Sequence, residues 1–229
     1  MRVAIIPARG GSKRISRKNI KNFCGKPIIA WSIEAAINSG CFDKVIVSTD
    51  DNEIAEIAKK YGAEIPFIRP KELADDYTGT NCVVCHAIKW LKTHNITPSE
   101  VCCIYATAPF LLEIDLQQAY LKLIENNCSY VFSVTSYAFP IQRAIKVSAN
   151  NRTEMFYPEY ENTRSQDLEE SYHDAGQFYW GTTIAWLTQK SVFDLSSMAY
   201  ILPRYRVQDI DTPEDWKRAE LMFNILKNK

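Results

Sequence analysis

The sequence predicts an α/β fold built on a mostly parallel sheet, and three observations support this prediction. Short apolar runs, such as 3–6 and 44–49, have the length and composition of buried strands. The segments 27–38 and 52–61 have helical periodicity, and each ends at a glycine. Strands and helices alternate along the chain, as they do where right-handed crossovers connect parallel strands.

The individual elements are predicted in order from periodicity and from the residues at their ends. Gly40 stops the first helix, and Asp50 with Glu53 is spaced like a capping pair at the second. Thr212 before Pro213 marks the start of the last helix. In chain order we predict strand 3–6, helix 27–38, strand 44–49, helix 52–61, strand 64–68, helix 81–94, strand 101–106, helix 115–126, strand 130–135, strand 178–187, strand 205–210 and helix 213–227.

Length and composition indicate a single domain spanning 1–229, with 137–174 as an inserted arm in which regular periodicity fades. The formal net charge of zero indicates no general attraction to nucleic acid or to an anionic membrane. No apolar run is long enough to span a bilayer and no export signal opens the chain, so we expect a cytoplasmic protein. Seven cysteines, an odd number, are typical of reduced thiols rather than of a disulfide framework.

Basic residues crowd the segment that follows the first strand, and the first acid is Glu34. Gly10 and Gly11 open this loop, which is neither a Walker A motif nor GxGxxG. A glycine-containing cationic loop after a core strand presents N–H groups and positive charge to phosphate, so we predict a nucleoside triphosphate site. A transit peptide and a solvated cationic face are the alternatives. The basic residues are Arg9, Lys13, Arg14, Arg17, Lys18, Lys21 and Lys26.

Two carboxylates lie near the end of the chain, at the end of the predicted strand 205–210. Asp209 and Asp211 are two residues apart, so on a strand they would point the same way with Cα atoms ~6.6 Å apart. Such a pair can share one Mg²⁺ that also contacts phosphate. Asp211 as a helix cap and Asp209 as a solvated acid are the other interpretation. Spacing alone leaves both open.

The stretch PARGGSKRISRKNIK resembles the signature of the sugar-acid cytidylyltransferases, which make CMP-sialic acids and CMP-KDO. The resemblance extends over most of the chain, through VIVSTDDNEIAEIAKKYGAE, IRPKELADD, ATAPF and VQDIDTPEDW. It implies a three-layer, Rossmann-like fold of the nucleotide-diphospho-sugar transferase type. It also implies a homodimer in which part of 137–174 crosses to the partner.

The resemblance assigns roles to several residues by their match to the family's motifs. It implies that CTP is the co-substrate, that Asp209 and Asp211 hold Mg²⁺, and that Arg69 and Thr80 lie near the cytidine. A surface ion pair of Arg69 with Asp75 or Asp76 is the alternative. Arg9 and Lys18 join the two carboxylates as the predicted catalytic group. The triphosphate-contacting set is Arg9, Gly10, Gly11, Ser12, Lys13, Lys18 and Asn19. We expect Arg14, Arg17 and Lys21 to be merely solvated charges.

The acceptor pocket is predicted from the same resemblance. Tyr105 lies in YATAP where the sialic-acid branch has Gln in QPTSP, and YATAPF with HDAGQFYWG resembles the branch that uses pseudaminic acid. Arg143 is a candidate for the acceptor carboxylate and His173 for proton movement; a solvated arginine and a structural histidine are the alternatives. The predicted acceptor-binding set is Tyr105, Arg143, His173, Gly176, Gln177 and Tyr179.

The predicted activity is therefore transfer of CMP from CTP to the anomeric hydroxyl of a nonulosonic acid, with pseudaminic acid preferred. Such a product would serve bacterial surface-glycan or flagellin glycosylation. Synthesis of CMP-N-acetylneuraminate, CMP-legionaminate or CMP-KDO is the alternative within the family. A non-catalytic nucleotide-binding module is the alternative of another class. A dehydrogenase is disfavoured because GxGxxG is absent.

Overall fold

The computed structural model describes residues 1–227 and consists of one large sheet, two small hairpins and six α-helices in that range. The strands are β1 (Arg2–Pro7), β2 (Asn22–Phe23), β3 (Lys26–Pro27), β4 (Lys44–Ser48), β5 (Glu100–Ile104), β6 (Tyr130–Ser136), β7 (Ile145–Val147), β8 (Thr153–Met155), β9 (Tyr172–Thr182) and β10 (Ser197–Ile201). The helices are α1 (Ile28–Asn38), α2 (Asn52–Lys60), α3 (Thr80–Thr93), α4 (Glu113–Glu125), α5 (Thr183–Leu187) and α6 (Pro213–Lys227).

The large sheet is six-stranded, in the order β10-β6-β9-β5-β1-β4. β1 pairs in parallel with β4 and β5, and β10 pairs in parallel with β6. β9 alone runs antiparallel, between β5 and β6. The prediction of a mostly parallel sheet is confirmed.

Helices cover both faces of this sheet because its central strands are apolar on both sides. In β1, Ala4 and Ile6 pack with α1, α2 and α4 on one face, while Val3 and Ile5 pack with α3 and α5 on the other. All four side chains are fully buried. A strand that is buried on both faces reads as the continuous apolar run seen in the sequence. The result is the predicted three-layer architecture.

Several predicted elements differ from the structure. Residues 64–68 form only one parallel bridge, Ile46 to Glu64, so the strand predicted there is wrong. Residues 183–187 form α5 because the Thr182 hydroxyl accepts the Ala185 N–H and turns the chain into a helix. Asp51, not Asp50, caps α2 by accepting the Ile54 N–H.

The strand predicted at 205–210 is also wrong. The sheet edge is instead β10, which the sequence did not reveal, and the last sheet bond runs from the Leu202 N–H to the Val134 carbonyl. Pro203 follows and donates no hydrogen bond, and a 3-10 turn forms at Arg204–Arg206. Asp209 and Asp211 therefore lie on an irregular segment and not on a strand.

The predicted arm, 137–174, contains the antiparallel hairpin β7–β8 and three 3-10 turns, and its last three residues already belong to β9. Large apolar side chains of the arm face solvent, with Phe139 81% and Val147 61% exposed. Among residues 1–227, no helix combines the length and the apolar character needed to cross a membrane. The seven cysteines are free thiols.

Candidate active site

A cleft of about 320 Å³ opens at the carboxyl ends of β1 and β5, where open α/β sheets bind ligands. Its walls come from the loop after β1, the segment 69–80 and the residues that follow β5. Asp211 from the far end of the chain completes it. The predicted site residues among its lining are Arg9, Ser12, Lys13, Lys18, Asn19, Arg69, Thr80, Tyr105 and Asp211.

The cationic loop is held in place by its own side chains and by acids from the neighbouring strand end. Buried Asn19 donates from Nδ2 to the Arg9 carbonyl at 2.9 Å, so it shapes the loop. The Gly10 N–H donates to Asp50 Oδ1 at 3.0 Å. A Cβ on Gly10 would lie 2.7 Å from Asp51 Oδ2, whereas the corresponding space at Gly11 is open. The close approach of Asp51 thus favours glycine at position 10, because any Cβ there would force a shift.

The three cations expected to be merely solvated all have partners. Arg17 donates to both oxygens of Asp51, at 2.5 and 2.9 Å, and its charge and hydrogen bond lower the pKa of Asp51 to about 2. Lys21 Nζ lies 4.5 Å from the centroid of the Trp216 ring, a cation–π contact with α6. Arg14 forms an ion pair with Asp211 at 2.9 Å. These cations fix the loop between α2 and α6.

Lys18 joins the two ends of the chain. Its Nζ donates to the Ile210 carbonyl at 2.8 Å and to Asp211 Oδ1 at 3.3 Å. With Arg14 on the other carboxylate oxygen, Asp211 faces two cations of the loop. The pKa of Asp209 is raised, first by partial withdrawal of its carboxyl group from water and then by the charge of Asp211. The cationic loop therefore meets Asp211 at the cleft, whereas Asp209, Gly10 and Gly11 are not among the residues that line it.

The carboxylate pair suits a hard divalent cation. Among residues 1–227, no cluster of three or more His, Cys, Asp or Glu side chains is arranged for a metal. Mg²⁺ does not require one, because it keeps several waters and is held by one or two carboxylates plus substrate phosphates. Asp209 and Asp211 supply such oxygens, and mutual repulsion within the pair is the condition that a cation relieves. The donor set fits.

Asp76, which was not predicted as a site residue, forms ion pairs with two cations of the loop. Arg9 Nη1 donates to Asp76 Oδ1 at 2.6 Å, and Lys13 pairs with the other oxygen. Hydrogen bonds from Lys13 and then Arg9 lower the pKa of Asp76. The Arg9 guanidinium also donates to the Asp75 carbonyl at 2.9 Å. The Asp76 carboxylate thus pairs with Arg9 and Lys13, two of the side chains that were predicted to bind phosphate. In the sequence, this contact was indicated only by the acidic residues of the stretch KELADD.

Arg69 is buried in the wall of the cleft, with 4% of its surface exposed. Its nearest acid is Asp50, at 3.7 Å, so the ion pair considered with Asp75 or Asp76 does not form. Its Nε and Nη2 have no hydrogen-bond partner within residues 1–227. Burial lowers the pKa of this guanidinium. A buried donor without an acceptor is costly, and a ligand carbonyl or hydroxyl in the cleft would satisfy it.

Two tyrosines stand together beside Gly176. The Tyr105 hydroxyl lies 3.4 Å from Thr80 Oγ1, and its ring centroid is 5.5 Å from that of Tyr179. Tyr179 donates its hydroxyl to Asp174 Oδ2 at 2.5 Å, and burial, with the neighbouring Tyr105 and Asp174, raises its pKa. The Gly176 N–H donates to Asp174 Oδ1 at 2.8 Å. Gly176 has φ +60°, and an added Cβ would lie 3.8 Å from the Tyr105 ring.

Of the six predicted acceptor residues only Tyr105 lines the cleft. Gly176 and Tyr179 lie behind it, and the other three are engaged elsewhere. Gln177 is buried and donates from Nε2 to the Arg206 carbonyl at 2.7 Å. The ring of His173 packs on Tyr137 with centroids 4.8 Å apart, and its Nδ1 lies 2.9 Å from the Asp174 carbonyl. Arg143 donates to two carbonyls of the arm. Each of these three side chains lies within hydrogen-bond distance of a backbone carbonyl, and contact with an acceptor stays a prediction for all three.

The chain matches a family model described as cytidylyltransferase over residues 3–193. It is 50% identical over 223 residues to the pseudaminic acid cytidylyltransferase of Campylobacter jejuni subsp. jejuni, a match that covers 97% of this chain and 96% of that protein. It is 30% identical over 230 residues to the CMP-N,N'-diacetyllegionaminic acid synthase of Legionella pneumophila, with 97% and 96% covered.

The fold is also found in a solved structure. A CMP:2-keto-3-deoxy-manno-octonic acid synthetase complexed with CTP superposes with a TM-score of 0.72. The match covers 97% of this chain and 98% of that one, at 15% sequence identity. At that identity the likeness shows the fold alone, and it agrees with the Rossmann-like architecture predicted from the sequence.

Proposed function

The chain belongs to the cytidylyltransferase family, and from that premise we propose that it transfers CMP from CTP to pseudaminic acid and releases pyrophosphate. The 50% identical relative that carries this name matches the chain almost end to end. One observation of the structure carries the proposal: Lys18 of the cationic loop and Asp211 share one contact at the cleft. A metal–triphosphate complex requires cations and carboxylates side by side in this way.

The reaction is a displacement at phosphorus. The anomeric hydroxyl oxygen of the acceptor attacks the α-phosphorus of CTP and loses its proton to water, and the bond from that phosphorus to the bridging oxygen of the β-phosphate breaks. Negative charge develops on the departing pyrophosphate, where Arg9, Lys13 and Lys18 supply fixed positive charge along one wall. No protein nucleophile is needed, because the hydroxyl itself forms the new bond.

Asp209 and Asp211 would hold Mg²⁺, which when bound neutralises phosphate charge and lowers the pKa of a coordinated hydroxyl. Lys18 contributes a second function here. By donating to the Ile210 carbonyl it fixes the backbone between the two carboxylates. The same ammonium group would therefore orient the acids and, because Lys18 lines the cleft, contact the phosphates.

The rest of the cleft is assigned to the two substrates. We assign Arg69 and Thr80 to the cytidine, because both line the cleft and the buried Nε and Nη2 of Arg69 have no acceptor among residues 1–227. Tyr105 is placed between the nucleotide and the acceptor because it touches Thr80 on one side and packs with Tyr179 on the other. The Asp174 carboxylate, held by Tyr179 and the Gly176 N–H, gives this end of the site a fixed acceptor of hydrogen bonds. Sugar hydroxyl and amide groups are the complementary donors.

The assembly we propose is a cytoplasmic homodimer joined through the arm. Phe139, Val147 and Phe156 expose large apolar surfaces there, and a second copy would cover them. We expect the purified chain to scatter light as a dimer and Val147→Glu to shift it toward a monomer. A monomer for the unmodified chain at all concentrations would contradict this part of the proposal. A role in flagellin or other surface glycosylation follows from the proposed product.

The proposed activity is tested with a pyrophosphate-release panel. CTP is paired with pseudaminic, legionaminic, N-acetylneuraminic and KDO acids, and UTP, ATP and GTP replace CTP in matched reactions. We expect CTP with pseudaminic acid to have the highest kcat/KM by at least tenfold. A higher value for another acid would move the chain to that specificity. CTP binding without turnover for any acid would identify a nucleotide-binding module and overturn the proposal.

A further inference from the structure

The segment that carries Asp209 and Asp211 is fixed at its start by Arg206. The Arg206 guanidinium is bidentate on Asp115: Nη1 lies 2.6 Å from Oδ2 and Nη2 lies 3.0 Å from Oδ1. Its carbonyl accepts the Gln177 Nε2–H at 2.7 Å. The side chains of Asp115 and Arg206 are 2% and 14% exposed, so this is a buried, fully engaged pair. We call Asp115, Gln177 and Arg206 the clamp.

The clamp holds a stretch of backbone that the sheet does not hold. Within the described chain, residues 208–211 belong to no strand or helix. Three side chains contact their backbone: Lys18 donates to the Ile210 carbonyl, Asp215 accepts the Asp211 N–H, and Gln208 donates to the Asp209 carbonyl. The first two contacts and the buried Ile210 side chain hold the far end of the stretch, whereas Gln208 belongs to the stretch itself. At the near end, the stretch is tied to the rest of the fold through Arg206, three residues before Asp209.

The partner of Arg206 is itself rigid. Asp115 lies in the first turn of α4 and accepts the Leu112 N–H at 3.1 Å, and the helix N-terminus favours its negative charge. The next residue, Leu116, is fully buried against the sheet. Tyr200 of β10 places its hydroxyl 3.3 Å from Asp115 Oδ1. The clamp thus ties the carboxylate segment to α4, β9 and the edge strand.

We propose that Arg206 is a positioning residue whose clamp sets the geometry of Asp209 and Asp211 and thereby the divalent-metal affinity of the site. The inference rests on the proposed metal role of those two carboxylates. Mutation of groups that orient metal ligands without touching the metal typically lowers metal affinity about 10- to 100-fold. Lysine does not reproduce a bidentate arginine contact, so it keeps the charge and loses the geometry.

The test compares Arg206→Lys and Arg206→Gln with the unmodified chain. We expect the Mg²⁺ concentration for half-maximal rate to rise about tenfold or more, with less change in the KM for CTP at saturating Mg²⁺. Electron paramagnetic resonance measures the binding of Mn²⁺ to the complex with CTP in the absence of the acceptor. We expect the Mn²⁺ affinity to fall in parallel. Leu123→Ala, at the far end of α4, controls for lost stability without touching the clamp.

The outcomes separate this inference from the proposed function. Retained activity in Asp211→Asn would overturn the proposed metal role of the carboxylates and this inference with it, whereas no pyrophosphate release by the unmodified chain with any acid would overturn the proposed function. An inactive Asp211→Asn together with an unchanged Mg²⁺ requirement in Arg206→Lys would overturn the positioning role alone. If Arg206→Gln does not fold, Arg206→Lys carries the test. Gln177→Leu discriminates further, because the clamp predicts a change in Mg²⁺ requirement, whereas direct sugar contact would change the KM for the acid.

Discussion

Lys18 Nζ lies 3.3 Å from Asp211 Oδ1, although 193 positions separate the two residues in the sequence. The contact closes the site by joining the loop after the first strand to the segment before the last helix. Arg14 pairs with the second oxygen of the same carboxylate. The ammonium group of Lys18 and the carboxylate of Asp211 thus lie within hydrogen-bond distance of each other. A metal-bound phosphate at this point would contact both groups.

Replacing Asp211 by asparagine should abolish turnover while leaving the fold intact. The amide keeps the size of the side chain but removes the charge that would bind Mg²⁺, and loss of one such electrostatic group typically costs about 10²–10³ in kcat. Pyrophosphate release and thermal unfolding measure the two effects. Glu214→Gln is the control: it removes one negative charge from an exposed residue three positions after Asp211, and it should keep full activity. An Asp211→Asn variant within twofold of the unmodified rate would exclude the metal role.

Replacing Asp76 by asparagine should lower the KM for CTP. The carboxylate pairs with Arg9 and Lys13, so a triphosphate that uses these cations must displace it. Since Asp76 is near the surface, the expected gain is small, about two- to fivefold. Titration of CTP binding at low and high salt checks it. Glu72→Gln removes an equal charge from the same segment without touching either cation, and an equal gain there would show that local charge, not competition, is responsible.

The sequence revealed those parts of the fold that are decided by local pattern. The run at β1 is apolar on both faces, and Thr212 with Pro213 starts α6, so both were predictable from residues that are close in sequence. β10 was missed because its alternation is weak and its partner, β6, lies far away in the sequence. Residues 205–210 have strand-like composition, but Pro203 ends the sheet pairing before them.

The site divides in the same way. The cationic loop could be predicted because its residues are consecutive, and its meeting with Asp211 followed from the family resemblance. The partners of Arg17 and Arg206 could not, since Asp51 and Asp115 become neighbours only when the sheet has formed. A basic residue in a loop looks solvated in a sequence whenever its acid lies on another element.

Replacing Gly10 or Gly11 by alanine should have different effects on stability. At Gly10 the new Cβ would lie 2.7 Å from Asp51 Oδ2, and Arg17 holds that carboxylate in place, so relief requires a backbone shift. We expect a loss of about 1–3 kcal/mol in the free energy of unfolding and weaker CTP binding. At Gly11 the space is open, and we expect a change within about 0.5 kcal/mol. Urea unfolding of both variants measures this, and equal losses would argue against close packing at Gly10.

Asp51→Asn should make stability less dependent on pH in acid while preserving the cap of α2, since asparagine also caps helices well. Arg17 lowers the folded-state pKa of Asp51 from 3.8 to about 2, so the ion pair stabilises the fold above the unfolded value. This contribution falls as pH drops from about 4 toward 2, because the unfolded state then binds the extra proton. The shift corresponds to at most roughly 2 kcal/mol, and solvent screening of the partly exposed Arg17 reduces it to about 1 kcal/mol. Urea midpoints of the two proteins should therefore differ near neutrality and converge near pH 2. Glu53→Gln removes the more exposed acid that pairs with Arg17 and should change stability less. If the stability difference between Asp51→Asn and the unmodified chain were the same at every pH, Asp51 would not have the lowered pKa.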